Sequence, residues 1–62
     1  MTLDTLRDLT AQITDASRAL DSLRMERDGI IRGALATGTS VDAVVTATGL
    51  TRARVYQIRQ SR

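Results

Sequence analysis

The chain predicts an all-α fold: a long N-terminal coiled-coil helix followed by a compact helix-turn-helix, three helices in total. Three observations predict it. Leu6, Leu9, Ile13, Ala16, Leu20 and Leu23 recur at alternating steps of three and four, the spacing of a helical seam. The segment 39–59, TSVDAVVTATGLTRARVYQIR, carries valines at helical spacing, a break at Gly49, and renewed spacing at Val55 and Ile58. Proline, which would break a helix interior, is absent from the sequence. The chain divides accordingly into a dimerisation helix, residues 1–28, and a helix-turn-helix domain, residues 29–62.

The first helix is predicted from Thr2 to about Ala36. Thr2 supplies a capping oxygen, Asp4 places a negative charge at the positive end of the helix dipole, and Gly38 stands just past the end. At 1.5 Å per residue such a helix is roughly 50 Å long. In heptad terms the six seam residues are a and d positions in turn, and the next a is Arg27 before Ile30 resumes at d. A charged a position weakens a dimer seam, and Gly29 and Gly33 each cost about 1 kcal/mol against alanine in a helix interior. The seam is therefore expected to end before Arg27.

A stripe this narrow, with no second long helix in the chain to cover it, predicts a homodimer through the N-terminal helix. Leu6, Leu9, Ile13, Ala16, Leu20 and Leu23 form its interface. The flanking e and g positions are mostly Thr5, Thr10, Gln12, Ser17 and Ala19, so charge leaves parallel and antiparallel pairing open. On the outer face, spacings of three pair Asp4 with Arg7, Asp15 with Arg18 and Asp21 with Arg24, each contributing about 0.2–0.5 kcal/mol to the helix.

Beyond the seam, Ile30, Ile31, Ala34 and Leu35 present a broader apolar face, predicted to pack on Val41, Val44, Val45, Leu50, Val55 and Ile58. Gly29 and Gly33 admit a close helix approach, a bend, or simple tolerance. In the polar link TGTS, Thr39 with Asp42 fits a capping box for the second helix, and Ser40 is the competing cap. Gly49 accepts the positive φ that a tight two-helix corner needs. Leu50 then tucks beneath it, and Thr51 caps the third helix. With Val55 and Ile58 turned inward, the outer arc carries Ala53, Tyr56, Gln57 and Gln60, edged by Arg52 and Arg54.

Composition narrows the function. A 62-residue chain without Cys or His has neither disulfides nor the usual zinc ligands, so self-association is the expected source of extra stability. Its acids are scattered along a solvated helix face without His, Cys or Lys to partner them, and no phosphate-cradling glycine loop is present. Catalysis, metal, cofactor and small-molecule ligand are therefore not expected. Without a signal-like start or an apolar run near the roughly 20 residues of a membrane span, a cytoplasmic location is expected. Charge is unevenly spread: residues 1–31 hold four Arg against six acids, a net −2, and residues 32–62 hold five Arg against Asp42 alone, a net +4. That asymmetry is the footprint expected of a phosphate-binding surface, the alternative being a solvated basic tail.

The run Gly49-Leu50-Thr51-Arg52-Ala53-Arg54-Val55-Tyr56-Gln57-Ile58 resembles the recognition half of the helix-turn-helix in region 4 of bacterial sigma factors. There a glycine turn precedes a Thr/Ser-Arg-x-Arg-Val/Ile-x-Gln-Ile run. The resemblance implies a bacterial-type DNA binder in which Arg52, Ala53, Tyr56 and Gln57 face base edges in the major groove. Ala53 stands where sigma factors often carry Glu, and Tyr56 where they often carry Arg. Nothing in these 62 residues corresponds to the core-polymerase-binding regions, so a stand-alone DNA binder is expected.

The resulting expectation is a small dimeric, sequence-specific binder of double-stranded DNA, a nucleoid-associated transcriptional regulator reading the major groove with helix 52–61. Ser40, Thr51, Arg54, Arg59 and Arg62 would contact phosphates. The competing expectations are a coiled-coil adaptor, antitoxin-like or anti-sigma-like, without intrinsic DNA binding, and a DNA-architectural or segregation factor.

Overall fold

The computed structural model of the chain describes residues 2–61. It contains three helices, α1 (Leu3–Ala36), α2 (Val41–Thr48) and α3 (Arg52–Gln60), in an elongated body of 53 × 19 × 15 Å. Among the described residues there is no strand, and no helix is long and apolar enough to cross a membrane.

Each helix begins on a hydroxyl cap. Thr2 Oγ1 accepts from the Thr5 amide at 3.2 Å, Ser40 Oγ from Ala43 at 3.1 Å, and Thr51 Oγ1 from Arg54 at 3.1 Å. Each bond satisfies one of the free N–H groups of a first helical turn. The cap of α2 is Ser40, not Thr39, so the Thr39–Asp42 capping box does not form. Asp42 pairs instead with Arg52.

The ends are equally specified. At the C-terminus of α1, Gly38 (φ 105°) donates to Leu35 O at 3.2 Å and Thr39 to Ala34 O at 3.0 Å, the paired bonds of a Schellman motif. The α2–α3 corner turns on Gly49, left-handed at φ 72°, whose amide reaches Val45 O at 2.9 Å. Thr48 stitches the same corner: its hydroxyl donates to Val44 O at 2.7 Å and accepts from the Leu50 amide at 3.2 Å.

The core lies at the C-terminal end of the rod. Ile31, Val44, Val55 and Ile58 are buried, with Leu35, Val41, Val45 and Leu50 packed around them. The short α3 supplies the two most enclosed side chains, Val55 at 0 % and Ile58 at 1 % exposure. It packs on both other helices, and Ser61 ties its end to α1 through Arg32 Nη1 at 3.3 Å.

Two expectations are corrected, and one left open is narrowed. Ile30, placed on the core face beside Ile31, is 67 % exposed, because successive helical residues differ by about 100° and Ile31 takes the inward position. Of the readings left open for the glycines, close approach within the chain is not realised: a Cβ at Gly33 would meet nothing within 4 Å, and one at Gly29 only the Arg32 side chain of the same helix, at 3.8 Å. α1 also continues unbroken through both glycines. Of the three outer pairs only Asp21–Arg24 forms, at 3.9 Å; Asp4–Arg7 and Asp15–Arg18 form no ion pair.

Candidate nucleic-acid interface

α3 is placed by its buried edge. With Val55 and Ile58 pressed into the core, about 100° per residue turns Arg52, Ala53, Arg54, Tyr56, Gln57, Arg59 and Gln60 to the surface, where all seven are exposed. The four residues with implied base contact, Arg52, Ala53, Tyr56 and Gln57, therefore lie on one short helix. No acid occurs on α3 or its cap.

The arginines are not all free. Arg52 pairs with Asp42 of α2. Arg54 lies with Nη2 3.7 Å from Asp28 Oδ2 and donates through Nη1 to Gln57 Oε1 at 3.4 Å. Asp28, on α1, also accepts from Arg27 Nε and Nη2, both at 3.1 Å. A continuous polar chain thus runs from Arg27 through Asp28 and Arg54 to Gln57. Arg59 takes a different partner, its guanidinium resting 4.9 Å from the centre of the Tyr56 ring. That cation–π contact restrains both side chains at the surface.

The anticipated phosphate contacts divide. Ser40 and Thr51 are exposed caps whose oxygens already accept from the backbone, which leaves each hydroxyl proton available to donate outward. Arg54 and Arg59 are exposed on α3. Arg62 lies outside the described residues. The seam residues Leu6, Leu9, Ile13, Ala16, Leu20 and Leu23 are all solvent-exposed along α1. At 1.5 Å per residue they span roughly 25 Å.

The two acids that hold Arg52 and Arg54 were not legible in the sequence as parts of the site. Asp42 is ten residues from Arg52 and Asp28 twenty-six from Arg54, distances that only the folded corner closes. One signal for Asp28 existed: an acid beside a charged seam position, at the boundary where the apolar face widens. No family model, curated protein or solved structure matches this chain.

Proposed function

We propose that the protein is a dimeric, sequence-specific binder of double-stranded DNA that reads the major groove with α3 and acts as a transcriptional regulator. One observation carries the reading. α3 buries only Val55 and Ile58 and turns an acid-free face outward, bearing Arg52, Arg54, Arg59, Tyr56 and Gln57, beyond a left-handed glycine corner.

Arg52 suits guanine and Gln57 suits adenine, each good bidentate contact discriminating by about 1–3 kcal/mol. Ala53 lets the helix approach closely and meets a thymine methyl. Thr51, Ser40, Arg54, Arg59 and Arg62 hold phosphates and fix the register. One small module binds weakly, so two copies coupled through α1 present paired recognition helices, with half-sites near 34 Å or a multiple apart.

The internal pairing of Arg52 with Asp42 and of Arg54 with Asp28 favours a second reading, because it lowers the free positive charge on α3. In that reading the chain is a helical adaptor that docks a protein partner. Titration with random duplex DNA at two salt concentrations separates the two. Binding through several arginines loses affinity with a log–log slope of about −0.9 per phosphate contacted. Absent or salt-insensitive binding rejects the DNA reading in favour of the adaptor.

A further inference from the structure

A folded monomer of 6.7 kDa exposes about 3,900 Å², whereas this chain exposes 5002 Å². The surplus, about 1,100 Å², exceeds the roughly 800 Å² that one partner contributes to a standard interface. It lies along α1, where every residue from Leu3 to Glu26 is exposed.

The apolar surface does not stop at Arg27. Two hydrogen bonds to Asp28 hold the Arg27 guanidinium in place. Past it lies a cleft of about 210 Å³ between α1 and α2, lined with Ile30, Ile31, Ala34, Ala43, Val44 and Ala47 and by the threonines Thr39 and Thr48. A neighbouring depression runs from Leu23 to Ile30, Ile31 and Thr48, with Glu26 and Arg27 on its wall, and so joins the leucine stripe to the cleft.

We propose that a second copy of this chain covers the cleft, with its α1 lying along both the stripe and the α2 wall formed by Ala43 and Ala47. The dimer interface then extends into the helix-turn-helix domain. This inference rests on the self-association contained in the proposed function. The lining offers a small molecule almost no polar group to orient it. The stripe leading into the cleft has heptad spacing, which is the signature of a helix as occupant. A surplus of one partner's share, on a surface that every copy carries, is what an isologous pair removes from water. Clamping α2 against the partner's α1 fixes the two α3 helices relative to each other, and so fixes the spacing of the half-sites they reach.

The test is sedimentation equilibrium on the parent, Ala47→Arg, Ala43→Arg and the control Met25→Arg. Ala43, Ala47 and Met25 are all exposed, so each charge is tolerated by the folded chain; far-UV circular dichroism verifies this. A guanidinium driven into an apolar contact raises the dimer dissociation constant at least about tenfold for both alanine variants, and Met25→Arg leaves it unchanged. If either well-folded alanine variant dimerises as tightly as a dimeric parent, this inference is overturned while the leucine seam stands. A parent that stays monomeric overturns both the inference and the self-association on which it rests.

Discussion

Asp28 of α1 and Arg54 of α3 face each other with 3.7 Å between Oδ2 and Nη2, and the other carboxylate oxygen holds Arg27. One acid thus joins a seam position of the first helix to the proposed reading head. Its side chain is only 18 % exposed, against 49 % for Arg54, so the arginine is the partner that can leave. An approaching phosphate competes with Asp28 for the same guanidinium.

Replacing Asp28 by Asn therefore frees Arg54 and removes a negative charge from the site. Random-duplex affinity rises, and the log–log salt slope steepens by up to about 0.9, the contribution of one additional phosphate contact. Folding stability falls by no more than about 1 kcal/mol, the ceiling for a partly exposed ion pair. Filter binding at two salts checks the first pair of effects; an unchanged slope means that Asp28 does not restrain Arg54.

Arg52→Ala and Gln57→Ala are expected to abolish sequence preference and leave the dimer intact. Both residues are exposed on α3, and the Asp42 left behind by Arg52 is 70 % exposed, so neither change strands a buried group. Competition between a selected site and random duplex should show discrimination falling about tenfold to a hundredfold in each variant. Both mutants binding the selected site as tightly as the parent would refute the surface assignment.

Much of this architecture is legible because local rules and tertiary demands coincide. Thr2 and Thr51 cap where hydroxyls precede apolar-periodic runs, Gly49 turns left-handed where the period breaks, and Val44, Val55 and Ile58 enter the core. The misreadings share a cause. Between Thr39 and Ser40 either hydroxyl can cap, and the Schellman turn, by engaging Thr39's amide, makes Ser40 the entry residue. Between Ile30 and Ile31 only one fits beneath α3, and which one depends on the approach direction of a helix some twenty residues away. The arginine anchors are likewise set by the folded corner, where periodicity carries no information.

Gly49→Ala tests the corner itself. A Cβ there meets nothing within 4 Å, but φ is 72°, so the whole penalty is conformational, about 1–2 kcal/mol. Gly49→Asn, whose side chain tolerates this region, should cost less. Urea unfolding at fixed protein concentration gives both values; an equal penalty for the two would show that tolerance of the left-handed φ does not set the cost of a side chain at this position.

Ile58→Ala separates the two halves of the chain. The residue is 1 % exposed in a core of few side chains, and truncating such a site to alanine costs about 2–5 kcal/mol. A helical domain this small holds little more than that in reserve, so α2 and α3 lose their packing. The stripe on α1 is untouched, so dimerisation through Leu6 to Leu23 is expected to persist, weakened by the loss of the α2 wall, while duplex binding is lost. Circular dichroism together with sedimentation reads both effects in one variant, and retained DNA binding would place the reading surface elsewhere than α3.

Dilution supplies the last prediction, because the front of α1 has no tertiary support of its own. From Leu3 to Glu26 every residue is exposed, so within one chain only local terms sustain that stretch: the Thr2 cap, the Asp4 charge and the Asp21–Arg24 pair. Such terms contribute a few tenths of a kcal/mol each, with about 1 kcal/mol for the cap. Most helical stability in proteins comes instead from packing an amphipathic face against something. The first turns of α1 are therefore helical to the extent that a partner covers them, and their helicity follows mass action. Helical circular dichroism should fall as the protein is diluted through its dimer dissociation constant, reach a plateau set by α2, α3 and the end of α1 near Ile31, and be restored by concentration. Helicity independent of concentration across the dissociation range would show that α1 is stable without a second copy.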